Sequence, residues 1–531
     1  MESEPRLGVP EVDMGRVGAN WLLLICLVLM VVLGTFLQLQ SLSWGLLATE
    51  LFLILVPVVA YLGLTKQPVA ETLRLRWPGG RIALWSLLVG LGAAPLALVW
   101  AEFLTRLVGY EMPLGPEFYP TRPIEIIPFV TAMVVAAPIC EEVLFRGVIL
   151  NVHRKRGARA AILISSLFFA CFHLSFVRLF VLLPVALILG FVVWESDSLW
   201  PGILAHAAYN AVSVSLNTLN TLAPQVELSP AAAGASIAIG MVWVILGLRR
   251  FSALRRSGET PDAAPRAAGC QAIIPLFLVS LIFFTMSGMD LVVGAAPELL
   301  AQGRVRIALL PIEPENEWRY VLRDPLDRDM GEAICRQYSE QERLVVACDA
   351  RYDDSKGLAG REPFDVVARD FQTTAWWVPR SGELWRAESA WTMSERHGSF
   401  TVAKGEGGSD ALAMHVNRGG EAAETVDAPR DTLLHGEWPW RLRAMSFSAG
   451  LAQRATLIHP GRWGDSPHER EYLAEEVVVI VRGAEPLWTP AGRYIAWRVT
   501  VGEDYAAWYD IEYPHTLLSY TDGSVTWLLA E

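Results

Sequence analysis

Nine runs of apolar residues, each about as long as a bilayer is thick, fall at about 19–39, 44–64, 82–106, 124–151, 158–177, 178–194, 199–217, 231–248 and 271–295. Lipid offers the backbone no hydrogen bonds, so runs of this kind can only be helices. Basic residues mark alternate links: Lys66, Arg74, Arg76 and Arg81 follow the second run, Arg154, Lys155, Arg156 and Arg159 the fourth, and Arg249, Arg250, Arg255 and Arg256 the eighth. These links are expected in the cytoplasm. The intervening QLQSLS and NTLAPQVELSP are poor in basic residues, with Arg106, Arg122 and Arg178 as mild exceptions. The start, MESEPRLGVPEVDMGR, lacks the basic opening and small-residue cleavage site of a signal peptide. The first run is therefore expected to be a retained anchor with its N-terminal tail, residues 1–18, in the cytoplasm. Nine crossings then deliver residues from about 300 onward to the opposite face.

The organisation predicted is a polytopic α-helical membrane protein followed by a β-rich soluble domain. An eight-helix unit spans 19–250, with its polar motif core at 124–217. A linker rich in Arg, Ala and Pro covers 251–270, a ninth helix 271–295, and the β-rich domain 300–531. Within that domain VVVIVR (477–482), RYIAWRVTV (493–501), YAAWYDIEY (505–513) and LLSYTDGSVTWLL (517–529) read as consecutive strands, the last turning at Asp522-Gly523. Residues 326–345 read as a helix. The formal net charge of -12 argues against nucleic-acid binding. Cys26, Cys140, Cys171 and Cys270 lie in or beside apolar runs as small buried hydrophobes. Cys335 and Cys348, in the polar region, are candidates for a disulfide if that region meets an oxidising compartment. His397, His415, His435, His459 and His468 lack metal-ligand spacing, and the tryptophans of this region read as sheet packing.

The fourth run, TAMVVAAPICEEVLFRGVILNV, carries Glu141, Glu142 and Arg146 in its middle. Ionisable groups at such depth are costly and mark function. Glu142 and Arg146, four apart, can pair on one face, whereas Glu141 points about 100° away and needs a partner from another helix. FACFH, ending in His173, and HAAYN, from His206 to Asn210, each supply one. Residue counts from the basic turns place Glu141, His173 and Asn210 at similar depths, about 20 Å from one face at 1.5 Å per residue. A carboxylate and an imidazole sharing a water can activate it. His206 and Asn210, stacked at i and i+4, can donate to the oxyanion that forms when that water attacks a carbonyl. Arg146 would hold Glu142. Phe169 reads as packing.

EEVLFRG (141–147), FACFH (169–173) and HAAYN (206–210) resemble the EExxxR, FxxxH and HxxxN motifs of the CPBP intramembrane protease family, which includes the CAAX prenyl endopeptidase and bacterial Abi proteins linked to bacteriocin processing and self-immunity. The resemblance covers about residues 80–250. It implies an eight-helix bundle in which Glu141 and His173 activate water, His206 and Asn210 form the oxyanion site, and Glu142 and Arg146 support them. Family members are often grouped with metalloproteases, so Glu141, His173 and His206 are candidate ligands for a divalent metal such as zinc, although HExxH is absent. A membrane-associated protein or peptide substrate, a bacterial inner-membrane location and an envelope partner for residues 300–531 are the corresponding expectations. The last strands are faintly similar to curved β-sheet domains of envelope proteins that handle lipids or lipoproteins. A non-catalytic scaffold or immunity protein retaining the motifs is the alternative. A proton-coupled transporter ranks third, since no inverted repeat is visible.

Overall fold

The computed structural model describes residues 15–226, 229–254, 270–305, 307, 315–352, 370–378, 383–393, 396–404, 412–417, 421–426, 432–460, 472–523 and 525–531. Residues 1–14 of the tail, 255–269 of the linker, His468 and the side chains of His397, His415 and His459 lie outside that description. The chain divides into two units, one of Met1–Glu111, Pro120–Leu222 and Val226–Ala295, the other of Met112–Tyr119, Ala223–Gln225 and Ala296–Glu531.

The first unit is helical: α1 Arg16–Gln40, α2 Leu42–Leu64, α3 Gly80–Val108, α4 Pro123–Val152, α5 Ala158–Cys171, α6 Phe176–Ser196, α7 Trp200–Leu222, α8 Pro230–Ser252 and α9 Cys270–Ala295. All nine expected runs are therefore helical, but among the described residues seven are long and apolar enough to cross a membrane. The two exceptions have different causes. α5 has 14 residues and stops at Cys171, because His173 and Leu174 turn the chain, Leu174 in a left-handed conformation, before Ser175 caps α6 by accepting from the Arg178 N–H. α7 is 23 residues long, but His206, Asn210, Ser213, Ser215, Asn217, Asn220 and Thr221 dilute its apolar character.

The basic links after α2 and α4 and the turn after α6 meet at one carboxylate. Asp197 accepts from both terminal nitrogens of Arg154 at 2.9 Å and lies 3.2 Å from Arg74 Nε and 3.7 Å from Arg76. The links after α2, α4 and α6 thus share one end of the bundle. At that end His153 closes α4; burial, then the positive charges of Arg156 and Arg16, push its imidazole from 6.5 down to about 4. A folded-state value below the unfolded one means stability that is complete above pH 6.5 and is lost as pH falls through about 4. His153→Gln is expected to flatten the fall in melting temperature between pH 6.5 and 4 relative to wild type; parallel curves for the two proteins would contradict this.

The second unit is one 15-stranded sheet in the order β8-β7-β6-β5-β4-β3-β2-β1-β15-β14-β13-β12-β11-β10-β9. On one side of the β1/β15 pair lie β1 Asn316–Arg323, β2 Asp329–Glu340, β3 Arg343–Tyr352, β4 Asp370–Val378, β5 Glu383–Met393, β6 Arg396–Lys404, β7 Leu412–Asn417 and β8 Glu421–Val426. On the other side run β15 Thr526–Leu529, β14 Leu517–Thr521, β13 Tyr505–Asp510, β12 Gly492–Val501, β11 Tyr472–Thr489, β10 Ala452–Pro460 and β9 Thr432–Leu434. All pairings are antiparallel except that of β9 with β10. The expected strands near the C-terminus are present. The helix expected over 326–345 is not: those residues form β2, a turn and the start of β3. Glu, Ala, Arg and Gln gave the segment helical propensity, but Ala333, Cys335 and Gln337 face inward while Glu332 and Arg336 face out, a period of two that pairing with β1 and β3 enforces. Cys335 stands opposite Cys348 in the β2/β3 register, and the two are joined by a disulfide. Trp318, Trp377, Trp438, Trp440, Trp497 and Trp527 are buried in the core.

A bulge in β11 at Gly483 lets another stretch of the unit approach. The Ala484 N–H donates to the Leu114 carbonyl at 2.7 Å, and a Cβ at Gly483, whose φ is +137°, would come within 2.8 Å of that oxygen. Residues 112–119 are thus tied by backbone to the sheet.

Candidate functional site in the membrane unit

The site lies on α4, α5 and α7, and each side chain is held by a local departure from regular helix. α4 runs as π-helix over Thr131–Ala136 and again over Val143–Ile149, with Pro138 between. In a π register the partner of Met133 O is position 138, where proline has no N–H. The Asn210 amide of α7 donates to that carbonyl instead, at 2.7 Å. α5 ends within the bundle, leaving the Phe169 carbonyl without its full complement of helical N–H donors. The His173 Nδ1 donates to it at 3.0 Å, which leaves Nε2 as the nitrogen bearing a lone pair.

The carboxylates sit in a chain with one imidazole. Arg146 Nη1 donates to Glu142 Oε1 at 2.9 Å and Nη2 to the Ala186 carbonyl at 3.0 Å. His206 Nδ1 lies 3.2 Å from the same Glu142 oxygen, and its Nε2 lies 3.8 Å from Glu141 Oε2. Glu142 and Arg146 side chains are fully buried. Gly202 lies against this pair, since a Cβ there would meet Glu142 Oε2 at 2.7 Å. Phe169 packs against His173 at 5.2 Å, against His206 at 5.7 Å, and beneath the Arg146 guanidinium at 4.5 Å, so a residue read as packing orients both imidazoles.

The structure brings Glu141, Glu142, Arg146 and His206 together as an i,i+4 pair on α4 bridged to α7. Two placements differ from the sequence reading. The ring nearest Glu141 is His206, whereas His173 is oriented by Phe169. His206 turns Nδ1 to Glu142 at 3.2 Å and holds Nε2 3.8 Å from Glu141, and one Asn210 amide hydrogen is committed to Met133.

Sequence reasoning missed Glu50. It lies on the π-helical stretch Thr49–Leu55 of α2, which packs against Ala137–Glu142, and the charges of Glu50 and Glu141 act on each other. Glu50 is buried, and its Oε2 has no hydrogen-bond partner among the described residues. A lone carboxylate in the second apolar run was the signal. For a divalent metal the donor set does not fit as placed: no three His, Cys, Asp or Glu side chains among the described residues are positioned to hold an ion.

The fold and site together define a polytopic membrane protein with a buried glutamate and histidine centre and a large β-rich domain. Residues 123–212 match the family model described as Type II CAAX prenyl endopeptidase Rce1-like, a stretch that contains all three motifs. No curated protein and no solved structure matches the chain. The match suggests a CAAX-type intramembrane protease.

Proposed function

We propose that this protein is an intramembrane endopeptidase that hydrolyses a peptide bond of a membrane-associated protein with a water held between Glu141 and His173. The observation that carries the reading is the buried carboxylate and imidazole chain of Glu141, His206, Glu142 and Arg146 inside the family-matched segment. Glu141 accepts the proton of the water as it attacks the carbonyl carbon, and then returns a proton to the leaving amine. The His173 Nε2 lone pair accepts a hydrogen bond from the hydrogen that stays on the water and so aims the oxygen. The Asn210 amide, anchored on Met133, offers its remaining hydrogen to the oxyanion, and His206, held by Glu142, keeps the Glu141 carboxylate in place. Glu142 and Arg146 hold His206. No step is routed through a metal.

The N-terminus is cytoplasmic in this reading and the β-rich domain extracytoplasmic. Its support is that residues 112–119 and 223–225, from the links assigned to the outer face, group with residues 296–531 in one unit. The domain recruits substrate or an envelope partner. The test compares the membrane and envelope peptides of host cells carrying wild type or Glu141→Gln at equal protein level. The expected result is that one or a few proteins lose a defined terminus in the variant. Identical peptide maps, with a phenotype only when the whole protein is removed, would instead establish the scaffold reading.

A further inference from the structure

The sheet unit contains a cavity of about 150 Å³ that the membrane chemistry does not use. Its walls include five aromatic rings, Tyr352, Phe371, Trp440, Tyr520 and Trp527, together with the carboxylate of Asp522. Among the described residues His435 is the one base in its lining, and no lysine or arginine joins it. Tyr520 and Trp527 meet at 77° with centroids 6.0 Å apart, and Phe371 stands at 71° to His435, a second wall residue, so the rings form corners rather than a parallel stack. Tyr352, Tyr520 and Trp527 come from β3, β14 and β15, strands that the disulfide and the β1/β15 pairing hold in place.

Ring faces carry negative potential, and a box of them with one carboxylate attracts a cation that sheds water easily. An inorganic ion keeps its hydration shell against such walls, whereas a substituted ammonium presents methyl groups to the rings and a diffuse charge to the carboxylate. The field of Asp522 reaches the walls: burial first, and then its charge, hold the Tyr352 and Tyr520 hydroxyls above the usual tyrosine range. The Asp522 Oδ1 also accepts the Val525 N–H at 2.9 Å, which fixes the carboxylate at the rim of the hairpin turn.

We propose that this aromatic cavity is a binding site for a small substituted ammonium group, of the kind carried by choline or by a zwitterionic lipid headgroup. The size of the cavity suits such a group and excludes a peptide segment.

The test uses the full-length protein in a non-ionic detergent, titrated with tetramethylammonium chloride and choline and followed by tryptophan fluorescence. Binding is expected to be saturable for both, and at least tenfold weaker for 3,3-dimethylbutan-1-ol, the uncharged carbon analogue of choline. Asp522→Asn keeps an acceptor for Val525 and removes the charge, and it is expected to weaken both cations about tenfold with an unchanged circular dichroism spectrum. Trp527→Leu is expected to abolish the fluorescence response. Equal binding of the neutral alcohol, or an unaltered affinity in Asp522→Asn, overturns the proposal. Repeating the titration in phosphatidylcholine and phosphatidylglycerol nanodiscs identifies the source: weaker apparent binding only in phosphatidylcholine marks a lipid headgroup as the natural occupant, and equal binding marks a free ammonium compound.

Discussion

Arg146→Met is expected to destabilise the membrane unit by roughly 3–5 kcal/mol, the cost of leaving a buried carboxylate without its cation. Glu142 would lose the 2.9 Å bond from Arg146 Nη1 while keeping no exposure to water. The Ala186 carbonyl would lose one donor and Phe169 the guanidinium above its ring. Methionine fills similar space, so the loss is electrostatic rather than a cavity. The double variant Arg146→Met/Glu142→Gln removes both charges and is expected to recover at least half of the loss, although His206 then loses a charged partner. Unfolding in mixed micelles measures both. Equal destabilisation of the single and the double variant would mean that the pair contributes packing alone.

Glu437→Ala is expected to cost the sheet unit a comparable 3–5 kcal/mol, because one buried carboxylate serves three groups. Its Oε1 accepts from the Trp377 indole at 2.7 Å, its Oε2 from the Leu434 N–H at 3.2 Å, and Arg441 Nε lies 3.9 Å away. Glu437 is 1% exposed and Trp377 1%, so water cannot replace what the alanine removes. It also precedes α10, Trp438–Arg441, and follows Gly436 in the cavity wall. Glu437→Gln keeps an oxygen for the indole and is expected to lose less than half as much. Chemical denaturation of the full chain followed by tryptophan emission reads both, and a Gln variant as unstable as the Ala variant would contradict the assignment.

The membrane half was legible because lipid makes hydropathy and charge placement nearly sufficient. The runs, the shared end marked by Asp197 and the Glu142–Arg146 pair all follow from counting residues along helices. Counting failed where the helices are irregular. The turn at His173 and Leu174 and the π segments around Pro138 decide where His173 and Asn210 point, and no periodicity announces them. Glu50 was visible as a charge in an apolar run, but its neighbour Glu141 is nearly a hundred positions away in the chain, and pattern reading links only motifs that resemble one another. In the sheet unit the strands over 477–529 alternate strongly in β-branched and aromatic residues and were readable. β2 carries short and polar residues whose strand identity comes from its neighbours β1 and β3.

The β1/β15 pairing sets a schedule for biosynthesis. β1 is made early in the domain and β15 last of its strands, with every other strand of the sheet between them in the sequence. While the ribosome is still producing β9 to β14, β1 can already pair with β2, but its other edge stays open, with backbone donors and acceptors facing whatever is near. Each newly made copy therefore passes through an interval in which it can accept a foreign strand. A holding chaperone on the unfinished sheet, or slow production of neighbouring copies, is what such a topology demands for high yield.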